Sequence, residues 1–250
     1  MSHKLFNKIT GILGFKLIEK ELFKNEKLIS SKSYLKINKL LEILFDERKI
    51  SNLIQIGAND GHRFDILNFY IKKYHTKSLL VEPINENFNK LKENYKNCSF
   101  VSFENSAISV NNEISHLYKV GPQYINYYSD HIPGITSFDK NHLIKHGVKN
   151  RHIIRENVIS INIKNLISKY NLKSFDLLYI DAEGYDGKIA IDFLTSTLIR
   201  PIIILEFIHI KHSVFKELIN NLEQEKYNIF SIDENLFCYP ENDRKYIKFN

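Results

Sequence analysis

Apolar positions along the chain follow two regimes. Over residues 34–44, Tyr34, Ile37, Leu40, Leu41, Ile43 and Leu44 recur at mostly three- and four-residue spacing, which predicts an amphipathic helix. Leu5, Phe6, Ile9, Leu13 and Leu17 repeat that pattern more loosely. From residue 52 the chain changes to short apolar runs separated by amphipathic stretches. NLIQIG (52–57), SLLVE (78–82), SFVSF (99–103), FDLLYID (175–181) and PIIILEF (201–207) are rich in Ile, Leu, Val and Phe. They are too short for independent helices and predict strands. Helical stripes separate them: Phe64, Ile66, Leu67, Tyr70 and Ile71; then Phe88, Leu91 and Tyr95 behind Pro83; then Ile189, Ala190, Phe193 and Leu194. Val214, Leu218 and Leu222 predict one more helix, and YNIFSID, followed after one Glu by NLFCYP, predicts a closing hairpin.

Strands that are apolar on both faces and alternate with helices make a parallel sheet covered on two sides. The expected fold is therefore α/β and doubly wound, with a mostly parallel sheet, an antiparallel edge, and a helical amino-terminal cap over residues 1–50 in front of a domain at 51–250. Residues 105–160 break the alternation. They are dense in Tyr, Asn, His and Ser, as in GPQYINYYSDHIPGITSFDK, and are expected to form an insertion over or beside the carboxyl edge of the sheet.

Composition narrows the class without changing it. Hydrophobic content of 43% and charged content of 26% belong to a folded globular chain. No apolar run approaches the ~18 residues of a membrane span. Lys8, Lys16, Lys20 and Lys24 interrupt each stretch that could form a signal-peptide core, so a cytoplasmic location is expected. Cys98 and Cys238 stand far apart, outside any metal-site spacing, and read as buried thiols. The net charge of +6 is concentrated at the front, where residues 1–50 hold eleven Lys/Arg against six Asp/Glu. The remainder carries no basic stripe with interleaved aromatics, which argues against nucleic acid as a partner. The front segment reads as a solvated cap, or as a peripheral contact with an anionic membrane or glycolipid surface.

Ligands of an open parallel sheet bind outside the carboxyl ends of its strands. Those ends are Gly57 to Gly61, Glu82, Asn105 to Ala107, Asp181 to Gly184, and Glu206, most of them acids or amides beside small residues. In LIQIGANDG, Gly57 can take a backbone angle closed to other residues. Gly61 would let the next helix start close to a ligand, with its free N–H groups aimed at it. A dinucleotide site wants GxGxxG, but the spacing here gives Gly57, Asn59 and His62. The side chains of Asn59 and His62 oppose a pyrophosphate and tolerate a ribose with an amino-acid tail. Glu82, 21 residues after Gly61, stands where a carboxylate accepts from both ribose hydroxyls.

The order IGANDG, VEP, NSAIS, IDAEGYD and ILEF resembles the FkbM-type family of S-adenosylmethionine-dependent methyltransferases over roughly residues 50–240. IDAEGYD, resembling that family's Asp-x-Glu-Gly signature, is the most distinctive element. The resemblance implies a seven-stranded Rossmann-like methyltransferase fold and methyl transfer to a hydroxyl, frequently on a sugar, so that a surface polysaccharide or glycolipid precursor becomes the expected acceptor. It would place the methionine part of the cofactor against Gly57, Asn59 and Gly61, in the turn that also holds Ala58 and Asp60. The ribose would lie on Glu82 and the adenine edge near Ser106 and Ala107. An acid often stands where this chain has Gln55. An amide adds no negative charge, which leaves Asp60 or Asp181 for the cofactor's amino group.

Asp181 and Glu183 would flank the point of methyl transfer. An alcohol is a poor nucleophile while protonated, so its hydroxyl needs a base or a metal. Asp181 and Glu183, with Glu206, can hold a divalent cation such as Mg through oxygen ligands, assisted by Asp186. Alternatively, His209 or His131 takes the proton. Plainer roles exist: Asp181 as a helix cap, and Tyr124, Tyr127 and Tyr128 as packing of the insertion rather than a sugar platform. Two other functions compete: a nicotinamide-dependent oxidoreductase on a related sheet, and a non-catalytic module, supported by Gln55 and opposed by the acids at 82, 181 and 183.

Overall fold

The computed structural model of the protein describes residues 36–48, 50–110 and 114–241. Helix α1 (Ile37–Arg48) falls in the predicted cap. The looser stripe from Leu5 to Leu17 and most of the basic front segment lie outside the described residues. No helix among the described residues is long and apolar enough to cross a membrane.

Strands β1 (Asn52–Ile56), β2 (Lys77–Val81), β3 (Val101–Glu104), β7 (Leu177–Ile180), β8 (Ile202–Glu206), β9 (Tyr227–Ile232) and β10 (Asn235–Pro240) form one seven-stranded sheet in the order β3-β2-β1-β7-β8-β10-β9. The first five run parallel, and β10 pairs antiparallel with both β8 and β9, closing the predicted hairpin. Side chains alternate between two cores, as the two-residue period of a strand demands. Ile54, Ile56, Leu79, Val81, Leu178, Ile180, Ile203 and Leu205 point to one face. There they meet helices α5 (Ile163–Lys169), α6 (Asp186–Ser196) and α7 (His212–Gln224). Leu53, Leu80, Leu177, Tyr179, Ile202 and Ile204 point to the other face, against α1, α2 (Asn68–Tyr74) and α3 (Asn85–Asn94). Phe45 of α1 stacks on Tyr70 and Tyr74 of α2 at 5.1 and 5.7 Å, which anchors this part of the cap to the domain.

Two departures from the periodicity bear on function. The helix after β1 begins at Asn68, not near Phe64. Asp60 Oδ1 accepts from the N–H groups of His62 and Arg63, and Asp65 Oδ1 from that of Leu67, so the backbone donors of this stretch are held in turns. Phe64 consequently sits on a loop with φ of 58°, and it is exposed. The described part of the insertion forms regular structure. Strands β4 (Ala107–Ile108), β5 (Ile114–Val120) and β6 (Ile153–Ile161) form a second sheet in the order β4-β6-β5. A short helix α4 (Lys140–Lys145) and a small core of Val120, Ile132, Ile135, Leu143 and Val148 complete it. Its strands, ISHLYKV and IIRENVISI, mix polar and apolar residues, which hid them from a search for wholly apolar runs. Cys238 is buried and Cys98 half-buried, and both are free thiols.

Candidate functional site

Strand order reverses between β1 and β7, the point where an open α/β sheet leaves a crevice for a ligand. A cavity of about 620 Å³ lies there, over the ends of β1, β2, β7 and β8, with His131, Gly134, Ile135, Thr136, Phe138 and His146 of the insertion along its opposite wall.

Its floor is the turn after β1. The N–H groups of Gly57 and Ala58 both donate to Val81 O at 3.0 Å, and that of Asp181 donates to Ile56 O at 2.9 Å. At Gly57, with φ of 83°, a Cβ would stand 1.8 Å from the carbonyl oxygen of Asp181. The glycine is therefore demanded by the close approach of two strand ends. Asn59, at φ of 49°, donates its N–H to Glu82 Oε2 at 3.0 Å, and Ile84 N–H donates to Oε1 at 2.9 Å. Burial pushes the Glu82 carboxyl up to about 7, with the two backbone donors pulling the other way. Ser106 and Ala107, both buried, line the far end of the cavity.

Gly61 and Asp60 do not line the cavity. A Cβ on Gly61 would meet Leu91 Cδ1 at 2.4 Å and the Tyr95 ring at 2.8 Å, so this glycine serves helix packing, and Asp60 braces the loop. Nor does a helix amino end follow Gly61, since α2 starts seven residues later. The expectation of a ligand contact at Gly61 and Asp60 is corrected on these grounds.

Gln55 donates through Nε2 to Asp65 Oδ1 at 3.0 Å. The other oxygens, Gln55 Oε1 and Asp65 Oδ2, are buried with no hydrogen-bond partner, and both residues line the cavity. Burial holds the Asp65 carboxyl above its usual range. The acid missing at position 55 is thus supplied from the following loop. Asp65 escaped the sequence reading because Phe64 and Ile66 placed it inside a presumed helix. An Asp just ahead of an apolar stripe is itself a helix-start signal and could have flagged it.

Asp181 lies at the end of β7 and lines the cavity, where burial, then the charges of Asp186 and Glu183, hold its carboxyl well above the ordinary range. Asp186 is fully buried and accepts from Ala182 N–H and Gly184 N–H, each at 3.0 Å. It braces the loop, so a share in holding a cation is not open to it. The loop carries Glu183 at φ of 50° and Gly184 at φ of 90°. A left-handed glutamate at a cavity wall is the kind of local strain that persists where the surroundings impose it. Here they do: Ser137 Oγ donates to Glu183 O at 2.9 Å, and Glu183 Oε2 lies 2.8 Å from His142 Nε2.

Beyond Glu183 stands a group of imidazoles. The rings of His142, His146 and His209 lie 4.6, 4.7 and 4.9 Å apart, centroid to centroid. Burial, then the neighbouring His142 and His146, lowers His209 to about 4. Glu206 is pushed up to about 9 by burial and then by Asp181, Asp186 and Glu183. The expected oxygen-only set of Asp181, Glu183 and Glu206 is not what the fold gathers. Glu183 and Glu206 come together with His209, their ligand atoms within 4.8 Å of one another, and Asp181 stands outside that group. His131 lines the cavity but is exposed and apart from the three histidines. Tyr124 stacks on His152 at 3.9 Å, Tyr128 OH meets His152 Nδ1 at 2.7 Å, and none of the three tyrosines lines the cavity. They pack the insertion.

The methyltransferase FkbM domain profile matches residues 55–229. Among solved structures, the FkbM methyltransferase of Methylobacillus flagellatus KT aligns with 13% identity and a TM-score of 0.44, covering 76% of this chain and 43% of that one. The chain therefore spans less than half of that protein. The Podospora anserina methyltransferase PaMTH1, solved with SAH bound, aligns with 10% identity and a TM-score of 0.48, covering 88% of this chain and 83% of that one. No curated protein matches the chain.

Proposed function

Since the chain belongs to the FkbM family of S-adenosylmethionine-dependent methyltransferases, we propose that it methylates a hydroxyl, on a sugar of a surface polysaccharide or a glycolipid precursor. The observation that carries this reading is the concentration of carboxyl groups on the cavity wall, whose raised proton affinities a bound cation would lower. Asp65, Glu82, Asp181, Glu183, Glu206 and Glu234 line that wall, against Arg63 as the one Lys or Arg. S-adenosylmethionine, when bound, supplies an electrophilic methyl group on a cationic sulfonium beside a second cation, its ammonium. A wall of carboxylates suits those two charges and repels the pyrophosphate of a dinucleotide, which counts against the oxidoreductase alternative.

The residues divide the work by position. The orphaned oxygens of Gln55 and Asp65 would accept from the ammonium. Arg63 would meet the carboxylate of the methionine tail. Glu82, already oriented by two backbone donors, keeps acceptor capacity for the ribose hydroxyls. Ser106 and Ala107 border the adenine. On the acceptor side Asp181 would orient the reacting groups, and Glu183 would take the proton of the acceptor hydroxyl. Oε2 of Glu183 is engaged by His142, which leaves Oε1 for that proton. A divalent cation near Glu183 and Glu206 belongs to the same reading. Beyond the described core, the basic first fifty residues are the part suited to an anionic glycolipid surface.

Calorimetric titration with S-adenosylhomocysteine and with NAD tests the cofactor half. The first is expected to bind and the second not to, and binding of neither would sink the proposal. Mass spectrometry of surface glycans from cells with and without the protein tests the acceptor. Glycans of unchanged mass and methylation would remove the sugar assignment.

A further inference from the structure

Helix α4 and its cap carry His142 and His146 four residues apart, the spacing that puts two side chains on one helix face. His209, from the loop between β8 and α7, completes a triangle with them, and the candidate ligand atoms of the three all lie within 4.8 Å of one another. A second triangle shares a corner: His209 with Glu183 and Glu206, again within 4.8 Å. Glu183 Oε2 contacts His142 Nε2 at 2.8 Å, while Glu206 Oε2 is 3.9 Å from His209 Nε2, too long for a hydrogen bond. Three imidazoles and two carboxylates from three segments of the chain thus converge, and all of them but His142 line the cavity.

We infer that His142, His146 and His209, with Glu183 and Glu206 beside them, bind one divalent transition-metal ion of the zinc class. Packing alone does not account for the group. Apolar side chains would fill the same space without setting three polar rings against each other and against two acids. A cation resolves both conflicts, since it takes the imidazole lone pairs and offsets the carboxylate charges. The ligand types choose the metal. Imidazole suits zinc, iron, cobalt and nickel, whereas magnesium demands octahedral oxygen and keeps its waters. Glu183 against His142 is the carboxylate-to-imidazole contact that fixes the orientation of a metal-binding histidine. Gly184 lets the loop that bears Glu183 approach the His209 backbone, where a Cβ would already be at 3.2 Å. The ion would face the acceptor space, and only this last step rests on the methyltransferase reading.

The test uses the full chain, stripped with chelator and titrated calorimetrically with zinc and separately with magnesium, with cobalt as a spectroscopic probe. One equivalent of zinc is expected, cobalt should show d–d bands of a nitrogen-ligated site, and magnesium should not compete. H146A and H209A should abolish the tight site, and E183Q should weaken zinc about 10- to 100-fold. S-adenosylhomocysteine binding and thermal denaturation run on the same samples show whether each variant is folded. Absence of zinc binding, unchanged zinc affinity in folded H146A and H209A, or equal competition by magnesium would overturn the site. Loss of S-adenosylhomocysteine binding with zinc binding intact would instead count against the proposed function and leave the metal site standing.

Discussion

The two walls of the cavity are built in opposite ways. The floor consists of residues at the ends of neighbouring strands, placed by backbone hydrogen bonds of Gly57 and Ala58 to Val81 and of Asp181 to Ile56, with Asn59 N–H donating to the Glu82 carboxylate. The acceptor wall is assembled by side chains that meet across the sequence, His142 and Ser137 reaching Glu183 over 41 and 46 residues, from a six-residue helix and several loops. Sheet register fixes the first, so it has little freedom to change without breaking the sheet. The second hangs on an insertion that can be remodelled while the sheet stays intact. On the proposed function, this would tie the cofactor to the fold and the acceptor to the insertion.

The sharpest way to break this contrast is at the two glycines that follow β1, Gly57 in the floor and Gly61 behind it. In Gly57→Ala the new Cβ meets the backbone of Asp181 at 1.8 Å, and backbone in a central strand cannot yield. The expected cost is about 4 kcal/mol or more, with S-adenosylhomocysteine binding lost. In Gly61→Ala the Cβ meets the buried side chains of Leu91 and Tyr95 rather than backbone, at 2.4 and 2.8 Å, and alanine must hold a φ of 67°. A cost of about 1–3 kcal/mol is expected there, with cofactor affinity retained. Urea denaturation and calorimetry on both variants check this. Equal loss of affinity in the two would mean that Gly61 also belongs to the floor.

Legibility from sequence follows the same division. All seven strands of the main sheet were readable because each is a short apolar run buried on its inward faces, and the ends of those runs located Gly57, Glu82, Asp181 and Glu206. The second sheet was not, because β5 and β6 interleave His, Lys, Arg, Glu and Asn with their apolar residues and so form no wholly apolar run. Asp65 was missed because a turn held by its own side chain carries apolar neighbours that mimic a helix. The histidine group was beyond reach for a different reason: the four-residue spacing of His142 and His146 is visible, but the 63-residue spacing from His146 to His209 is closed only by the fold.

A smaller effect is expected at Asp65. Asp65→Asn keeps an oxygen at Oδ1 for Gln55 and Leu67 but removes the charge beside the orphaned Gln55 Oε1. A hydrogen bond to a charged group is worth about 1.5–3 kcal/mol, which predicts a roughly 10- to 100-fold loss of affinity for S-adenosylhomocysteine. Stability should hold or rise, because a buried carboxyl held above its usual range is relieved of ionisation. Affinity unchanged in a folded variant would remove Asp65 from the ammonium site and return that role to Asp181.

The smallest effect is one of pH, and it separates the floor from the brace beneath it. Glu82 and Asp186 are both pushed up to about 7 by burial, from unfolded values near 4.5 and 3.8. Raised carboxyls favour the folded state most when protonated. Their contribution to stability is full below the unfolded values and is lost as pH rises through about 7. Cofactor binding runs the other way, since ribose hydroxyls donate to the ionised form of Glu82. Affinity for S-adenosylhomocysteine should therefore rise about tenfold between pH 6 and pH 8, with proton release detectable as a buffer-dependent binding enthalpy. Glu82→Gln should flatten that rise near pH 7. Asp186→Asn, which alters a group bonded to Ala182 and Gly184 and absent from the cavity wall, should change the pH profile of stability and leave the rise in affinity in place. A rise that survives Glu82→Gln would assign the released proton to another raised carboxyl of the wall, such as Asp65, and take the ribose away from Glu82.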